Sequence, residues 1–143
     1  MTIREMIITD YDSVMALLSS STGVRLREAD SREATARYLE RNPSLSFVAL
    51  VDGQLVGCVM CGHDGRRGYL QHLTVSRSYH QRGIGTALVE RCLTELARLG
   101  IVKTHIDVLV ENDSAIAYWS RRGWQKRDDI FRFSYLKSGN ANA

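Results

Sequence analysis

The sequence predicts an α+β domain built on a mixed β-sheet, and three observations predict it. Three strand-like runs follow one another between Ser46 and Val75, the first two joined by Asp52-Gly53. A long amphipathic pattern from Ile84 to Leu99 comes next. A β-branched run, Ile101 to Val110, follows that pattern. Consecutive hairpin strands and then a helical crossover give antiparallel and parallel pairs in one sheet, not an alternating doubly wound fold. The order reads β-α-α-β-β-β-α-β-α-β, with about six to seven strands and about four helices.

Each element has a local reason. Thr2 to Ile8 is rich in β-branched residues and reads as the first strand. Thr9-Asp10-Tyr11-Asp12 has the form of a helix cap, with Thr9 as N-cap and an acid three residues on. Val14, Leu17 and Leu18 supply the apolar face of that helix, and Ser19 to Gly23 breaks it. A second helix starts at Asp30 or Ser31 and runs to about Arg41, where Asn42-Pro43 ends it. Between these helices, Val24 to Ala29 carries both signs of charge and no clear period.

Asp52-Gly53 between Ser46–Val51 and Gln54–Cys61 is a two-residue hairpin signal. His63 to Gly68 is a polar turn, and Tyr69 to Val75 is the next strand. Ile84, Leu88, Cys92, Leu96 and Leu99 mark one helix face, and Gly100 supplies its stop. In the run from Ile101 to Val110, Thr104, Ile106, Val108 and Val110 share a face. Asn112 or Asp113 caps a short helix to about Arg121, Gly123 ends it, and Trp124 to Leu136 reads as one or two closing strands. Residues 1–137 are expected to form a single domain, with 138–143 as a frayed tail.

The chain has 143 residues, a natural length for one domain. Its 44% hydrophobic and 24% charged content are ordinary for a globular protein. A net charge of +3 is too mild to argue for nucleic acid, and Arg121, Arg122, Lys126 and Arg127 supply only a short basic face. No apolar run is long enough to span a bilayer, and the first residues lack the build of a secretion signal. Three cysteines, an odd number, argue against a disulfide framework. Cys58 and Cys61 form a CxxC, but an odd separation in a strand puts them on opposite faces, as small core side chains. No metal is expected, and the cytoplasm is the expected compartment.

The stretch His80-Gln81-Arg82-Gly83-Ile84-Gly85-Thr86-Ala87-Leu88 carries the chemistry. A strand, a loop with bare glycines and a helix start make an anion site, because the first N–H groups of a helix lack partners and the dipole adds positive charge. Gly83 and Gly85 let a phosphate approach the backbone. Arg82, Arg77 and His80 add charge at the same edge. No Lys follows the last Gly, so this is not a Walker loop, and Leu88 stands where a dinucleotide fingerprint needs Gly. Taken alone, the string also fits a plain helix start.

Element order and motif together resemble the GNAT superfamily of acyl-CoA-dependent N-acetyltransferases, from about Thr2 to Leu136. In that family a Gln/Arg-x-x-Gly-x-Gly/Ala loop after the fourth strand holds the pyrophosphate of coenzyme A; here it stands as His80 to Gly85. A second block, Asn-x-x-Ala leading to Gly and an aromatic, is matched by Asn112, Ala115, Gly123 and Trp124. The segment Asp64 to Gly68 further resembles a branch of small bacterial members.

The resemblance implies a GNAT-like mixed sheet splayed between strands four and five, at Leu73–Val75 and Val108–Val110. It implies acetyl-CoA as co-substrate, a primary amine as acceptor and direct attack in a ternary complex. Cofactor contacts fall to Leu73, Thr74, Val75 and Asn112 beside the loop residues His80 to Thr86. A backbone N–H near Thr74 or Val75 would polarise the thioester carbonyl. The side chains of Leu73 and Val75 also read as core, and Asn112 also reads as a plain helix cap.

Three positions depart from the family pattern. His80 stands in place of Gln or Arg, with Gln81 beside it. Gln71 stands where some relatives carry a Glu base; it can order a water but not take a proton. His72 follows, an imidazole and so a side chain able to take a proton, although strand alternation turns it to the other face. Trp119 occupies the place of the usual acid Tyr, and Tyr118 lies about 100° round the helix. The catalytic candidates are therefore Tyr118, His72 and Gln71, with water as the other proton donor to the thiolate.

The resemblance places Thr22 to Asp30 at the acceptor site. Arg25 and Arg27 favour an acidic acceptor, Glu28 and Asp30 a polyamine-like cation, and plain solvated charge is the third reading. Asp107 is open between a cationic substrate and a surface Arg. The rival to an enzyme is an acyl-CoA-binding or regulatory module on the same fold. Trp124, Phe131, Phe133 and Tyr135 are enough aromatic surface for a homodimer, or belong to the core.

Overall fold

The computed structural model describes residues 1–21 and 24–143. Thr22 and Gly23, part of the expected helix break and of the expected acceptor segment, lie outside the described residues. Two compact units are present, Met1–Asp107 and Val108–Ala143.

In the first unit, β1 (Thr2–Glu5), β2 (Phe47–Val51), β3 (Gln54–His63), β4 (Gly68–Val75) and β5 (Thr104–Ile106) form one sheet in that order. The first four strands are antiparallel, and β5 joins β4 in parallel. With α1 (Tyr11–Ser19), α2 (Arg32–Arg41) and α3 (Ile84–Arg98), this is the predicted α+β class with a mixed sheet. Asp52 and Gly53 both have positive φ, 51° and 76°, as a two-residue type I′ hairpin turn requires. Ser31 caps α2, accepting from the Ala34 N–H at 3.1 Å.

Period-two alternation sorts β3 between two helical layers. Cys58 and Met60 pack with Met6, Val14, Leu17, Leu18 and Val48 on the α1 face. Gly57 faces α3: a Cβ there would sit 3.2 Å from Leu88 Cδ1 and 3.3 Å from Ile84 Cγ2. The missing side chain lets α3 lie close on the strand. Cys61 shares that face and meets the Cys92 thiol of α3, which the hydrogen bond with this neighbour and then burial push far up. Cys58 and Cys61 thus lie on opposite faces, and all three cysteines are buried free thiols.

Several boundaries differ from expectation. The first strand stops at Glu5, not Ile8, and Thr9 is not a helix cap. The Asp10 carboxylate accepts from the Ile7 N–H at 2.9 Å and from Arg4 at 2.8 and 2.9 Å. These bonds wind Ile8–Asp10 into a 3-10 turn ahead of α1. The expected strand Ile101–Val110 shrinks to Thr104–Ile106. Its start is taken by the end of α3: Gly100 N–H bonds Ala97 O and Ile101 N–H bonds Leu96 O, both at 3.0 Å. That is the Schellman pattern, with Gly100 at φ 81° and buried Ile101 as its apolar plug. Leu99, expected on the buried face, is exposed at the cap.

The second unit contains α4 (Asp113–Arg121), capped by Asn112, whose Oδ1 accepts from the Ala115 N–H at 3.1 Å. Trp119 is buried and packs edge-on against Trp124, ring centroids 4.7 Å apart. Among the described residues, Trp124–Leu136 forms no strand, so the sheet has five strands rather than six or seven. Phe131, Phe133 and Tyr135 are 90%, 93% and 90% exposed and are not core. Their alternation favours an extended chain, but a strand also needs a partner edge, which the pattern does not name.

Candidate functional site

The end of β4 is bent by a bulge. Cys58 pairs with Thr74 and Met60 with Gln71, so His72 and Leu73 together oppose Val59. His72 takes φ 52°, a left-handed conformation that side-chain-bearing residues adopt only at a cost. The bulge interrupts the strict alternation of β4 between His72 and Leu73, while Gln71 and His72 keep different surroundings. Gln71 is exposed. His72 is largely covered, and its Nε2 lies 2.7 Å from Asp30 Oδ1. Asp30 is held in turn: its Oδ2 accepts from the Arg27 N–H at 2.7 Å, and its carbonyl accepts from the Tyr11 hydroxyl at 2.6 Å. Asp30, one of the two carboxylates expected to favour a cation, is thus already engaged within the fold.

Beyond the bulge, β4 presents two different edges. Ser76 N–H bonds Val56 O at 2.7 Å, and the Thr74 N–H meets the Cys58 thiol, so both point toward β3. Alternation then turns the Val75 N–H to the other edge. On that edge β5 pairs only with Gly68–Leu70, and among the described residues no strand continues along 71–75. The Thr74 hydroxyl is buried and, among the described residues, has no hydrogen-bond partner. Such an orphan is a group that a polar ligand can satisfy. Burial pushes the Cys58 thiol up to about 12, which keeps it protonated and inert.

The loop after β4 turns the chain into α3. A 3-10 turn at Arg77–Tyr79 leads to His80, whose Nε2 donates to Val75 O at 2.7 Å. His80 thereby ties the loop to the strand end. Gln81 and Gly83 follow at φ 62° and 78°, and Arg82 lies over the Tyr79 ring, 4.9 Å from its centroid. Gly83 is the N-cap of α3 and has no side chain with which to cap it. The first backbone bond of the helix runs from Ala87 N–H to Gly83 O at 3.0 Å, so the N–H groups of Ile84, Gly85 and Thr86 precede the ladder. Asp12, Glu33 and Asp113 sit in the first turns of α1, α2 and α4, while α3 has no acid there. An anion there meets no acid of the first turn and faces the positive end of the helix dipole. Together with the orphaned Thr74 hydroxyl and the open strand edge, this suits a ligand with a diphosphate and an amide-rich arm.

In the second unit, Asn112 acts as cap, with Ser114 also donating to its Oδ1 at 3.2 Å. Tyr118 is half-buried, its ring edge-on to Trp119 at 5.1 Å and covered by the Arg122 guanidinium at 3.6 Å. Trp119, in the position of the usual acid, is packed against Trp124 instead. Sequence reasoning missed Asp30 as the partner of His72 and Tyr11 as the group that holds Asp30. Asp30 is 42 residues away in the chain, and no local pattern signals such a pairing.

The acetyltransferase (GNAT) family profile matches residues 11–124. An acetyltransferase of Pectobacterium atrosepticum is 37% identical over 94 residues, 66% of this chain and 67% of its own. Among solved structures, a PaiA N-acetyltransferase from Thermoplasma acidophilum in complex with coenzyme A has a TM-score of 0.80 at 20% identity, covering 90% of this chain and 92% of that one. An aminoglycoside N-acetyltransferase in complex with CoA has a TM-score of 0.75 at 19% identity, covering 94% and 93%. At such identities the two structures speak for the fold.

Proposed function

The chain belongs to the GNAT acetyltransferase family, and from that premise we propose that it moves an acetyl group from acetyl-CoA to a primary amine by direct attack in a ternary complex. One observation carries the reading: the acid-free, glycine-led start of α3 directly follows a β4 end whose outer edge has no strand partner among the described residues. Acetyl-CoA, when bound, supplies the acetyl group as a thioester. The N–H groups of Ile84, Gly85 and Thr86 bind its diphosphate, with Gln81 and Arg82 at the rim. The backbone of Leu73 and Val75 pairs with the amide-rich arm. Of the two candidate donors to the thioester carbonyl, Val75 N–H is favoured, because the Thr74 N–H is turned to Cys58.

The acceptor must lose a proton before it attacks, because an ammonium has no lone pair. His72 takes that proton, directly or through a water ordered by Gln71. Water returns one to the leaving sulfur. Because Asp30 is already held by the fold, a cationic polyamine loses one of the two carboxylate anchors in that segment. The acceptor thus stays defined by its reactive group, a neutral primary amine. The aminoglycoside of one structural neighbour has such a group and belongs in the test panel with amino acids, polyamines and peptide N-termini.

The test is free-thiol release from acetyl-CoA across that panel. Amine-dependent release is expected for at least one acceptor, with His72→Gln lowering kcat by about 100-fold. Coenzyme A binding without release above hydrolysis for any amine would favour an acyl-CoA-binding module instead.

A further inference from the structure

We propose that Asp30 is a positioning residue for His72: it fixes the imidazole in the tautomer that carries its lone pair on Nδ1. The inference rests on the reading of His72 as the base and adds which atom takes the proton and what aims it. A carboxylate only accepts hydrogen bonds, so the 2.7 Å contact between Asp30 Oδ1 and His72 Nε2 requires a hydrogen on Nε2. In the neutral ring the lone pair is then on Nδ1, which makes no hydrogen bond among the described residues. The side chains are 18% and 13% exposed, so water competes weakly for the contact.

Asp30 is itself over-determined. Its Oδ2 is bound by the Arg27 N–H, and its carbonyl by the Tyr11 hydroxyl of α1. The carboxylate therefore cannot swing away without breaking the 3-10 turn at Glu28–Asp30. On the other side, the bulge puts His72 at φ 52°, and its carbonyl accepts from the Cys58 thiol at 3.4 Å. A strained backbone position held from both ends suits a side chain whose direction matters. Two segments far apart in sequence thus meet at one ring, and Asp30 does not need to touch either substrate to act.

The experiment is a long-range proton–nitrogen NMR spectrum of the imidazole of His72, recorded for the full chain with the ring in its neutral form, alongside steady-state kinetics. The wild type should show the Nε2–H tautomer. Asp30→Ala should lose that preference and lower kcat by about tenfold or more, with the KM for acetyl-CoA unchanged. Asp30→Asn, which keeps an acceptor oxygen, should restore part of both. A wild-type ring in the Nδ1–H tautomer, or a tautomer mixture that Asp30→Ala does not alter, would overturn the proposal. If His72→Gln retains full kcat, the base reading falls, while the tautomer still decides the role of Asp30, so the two failures are distinguishable.

Discussion

Asp10 accepts hydrogen bonds from Arg4 Nη1 and Nη2 and from the Ile7 N–H, and its side chain is only 10% exposed. The Arg4 hydrogen bonds, opposed by burial, hold its carboxyl below the usual range. The folded state thus favours the carboxylate. Its stabilisation is fully present above the ordinary aspartate value of about 4 and is lost as pH falls through the lower folded value. Asp10→Asn should cost roughly 1–2 kcal/mol at pH 7. It should also flatten the decline in stability on the acid side, as read by urea melts between pH 7 and pH 3. An unchanged acid decline would move the effect to other carboxylates. His72 shows the limit of reading single residues from sequence. Positive φ is normally advertised by Gly or Asn, as at Gly53 and Gly83, and nothing in Leu70-Gln71-His72-Leu73-Thr74 advertises it.

At the scale of elements, α3 combines a core function with a binding function, and its two glycines separate them. Gly83 has φ 78° with open space around it, so Gly83→Ala should cost about 1–2 kcal/mol by backbone strain alone. Gly85 lies inside the first turn of α3, outside the positive-φ positions. Gly85→Val should leave the melting temperature within a few degrees while weakening coenzyme A by about tenfold or more by calorimetry. Intact affinity in Gly85→Val would argue against close backbone approach. Asn112→Ala should remove the α4 cap at a cost of about 1 kcal/mol, and Asn112→Asp should keep it, as thermal melts would report. Helix faces and the Asp52-Gly53 hairpin were legible because period and turn chemistry are local. The shortness of β5 was not, because Ile101 looks like a strand residue while its N–H completes the end of α3.

For the whole molecule, the order of elements and the family were readable from one chain, since hairpin, crossover and glycine loop follow in a fixed sequence. The segment after α4 was not, because alternation of Phe131, Phe133 and Tyr135 states a conformation without stating a neighbour. Among the described residues no helix is long and apolar enough to cross a membrane. The central claim is that amides at the start of α3 grip a diphosphate beside the free edge of β4. A proton–nitrogen amide spectrum of the protein titrated with coenzyme A tests this most directly. The largest shifts should fall on Ile84, Gly85 and Thr86, with Val75 following. Saturation by coenzyme A that leaves these four amides in place would contradict it.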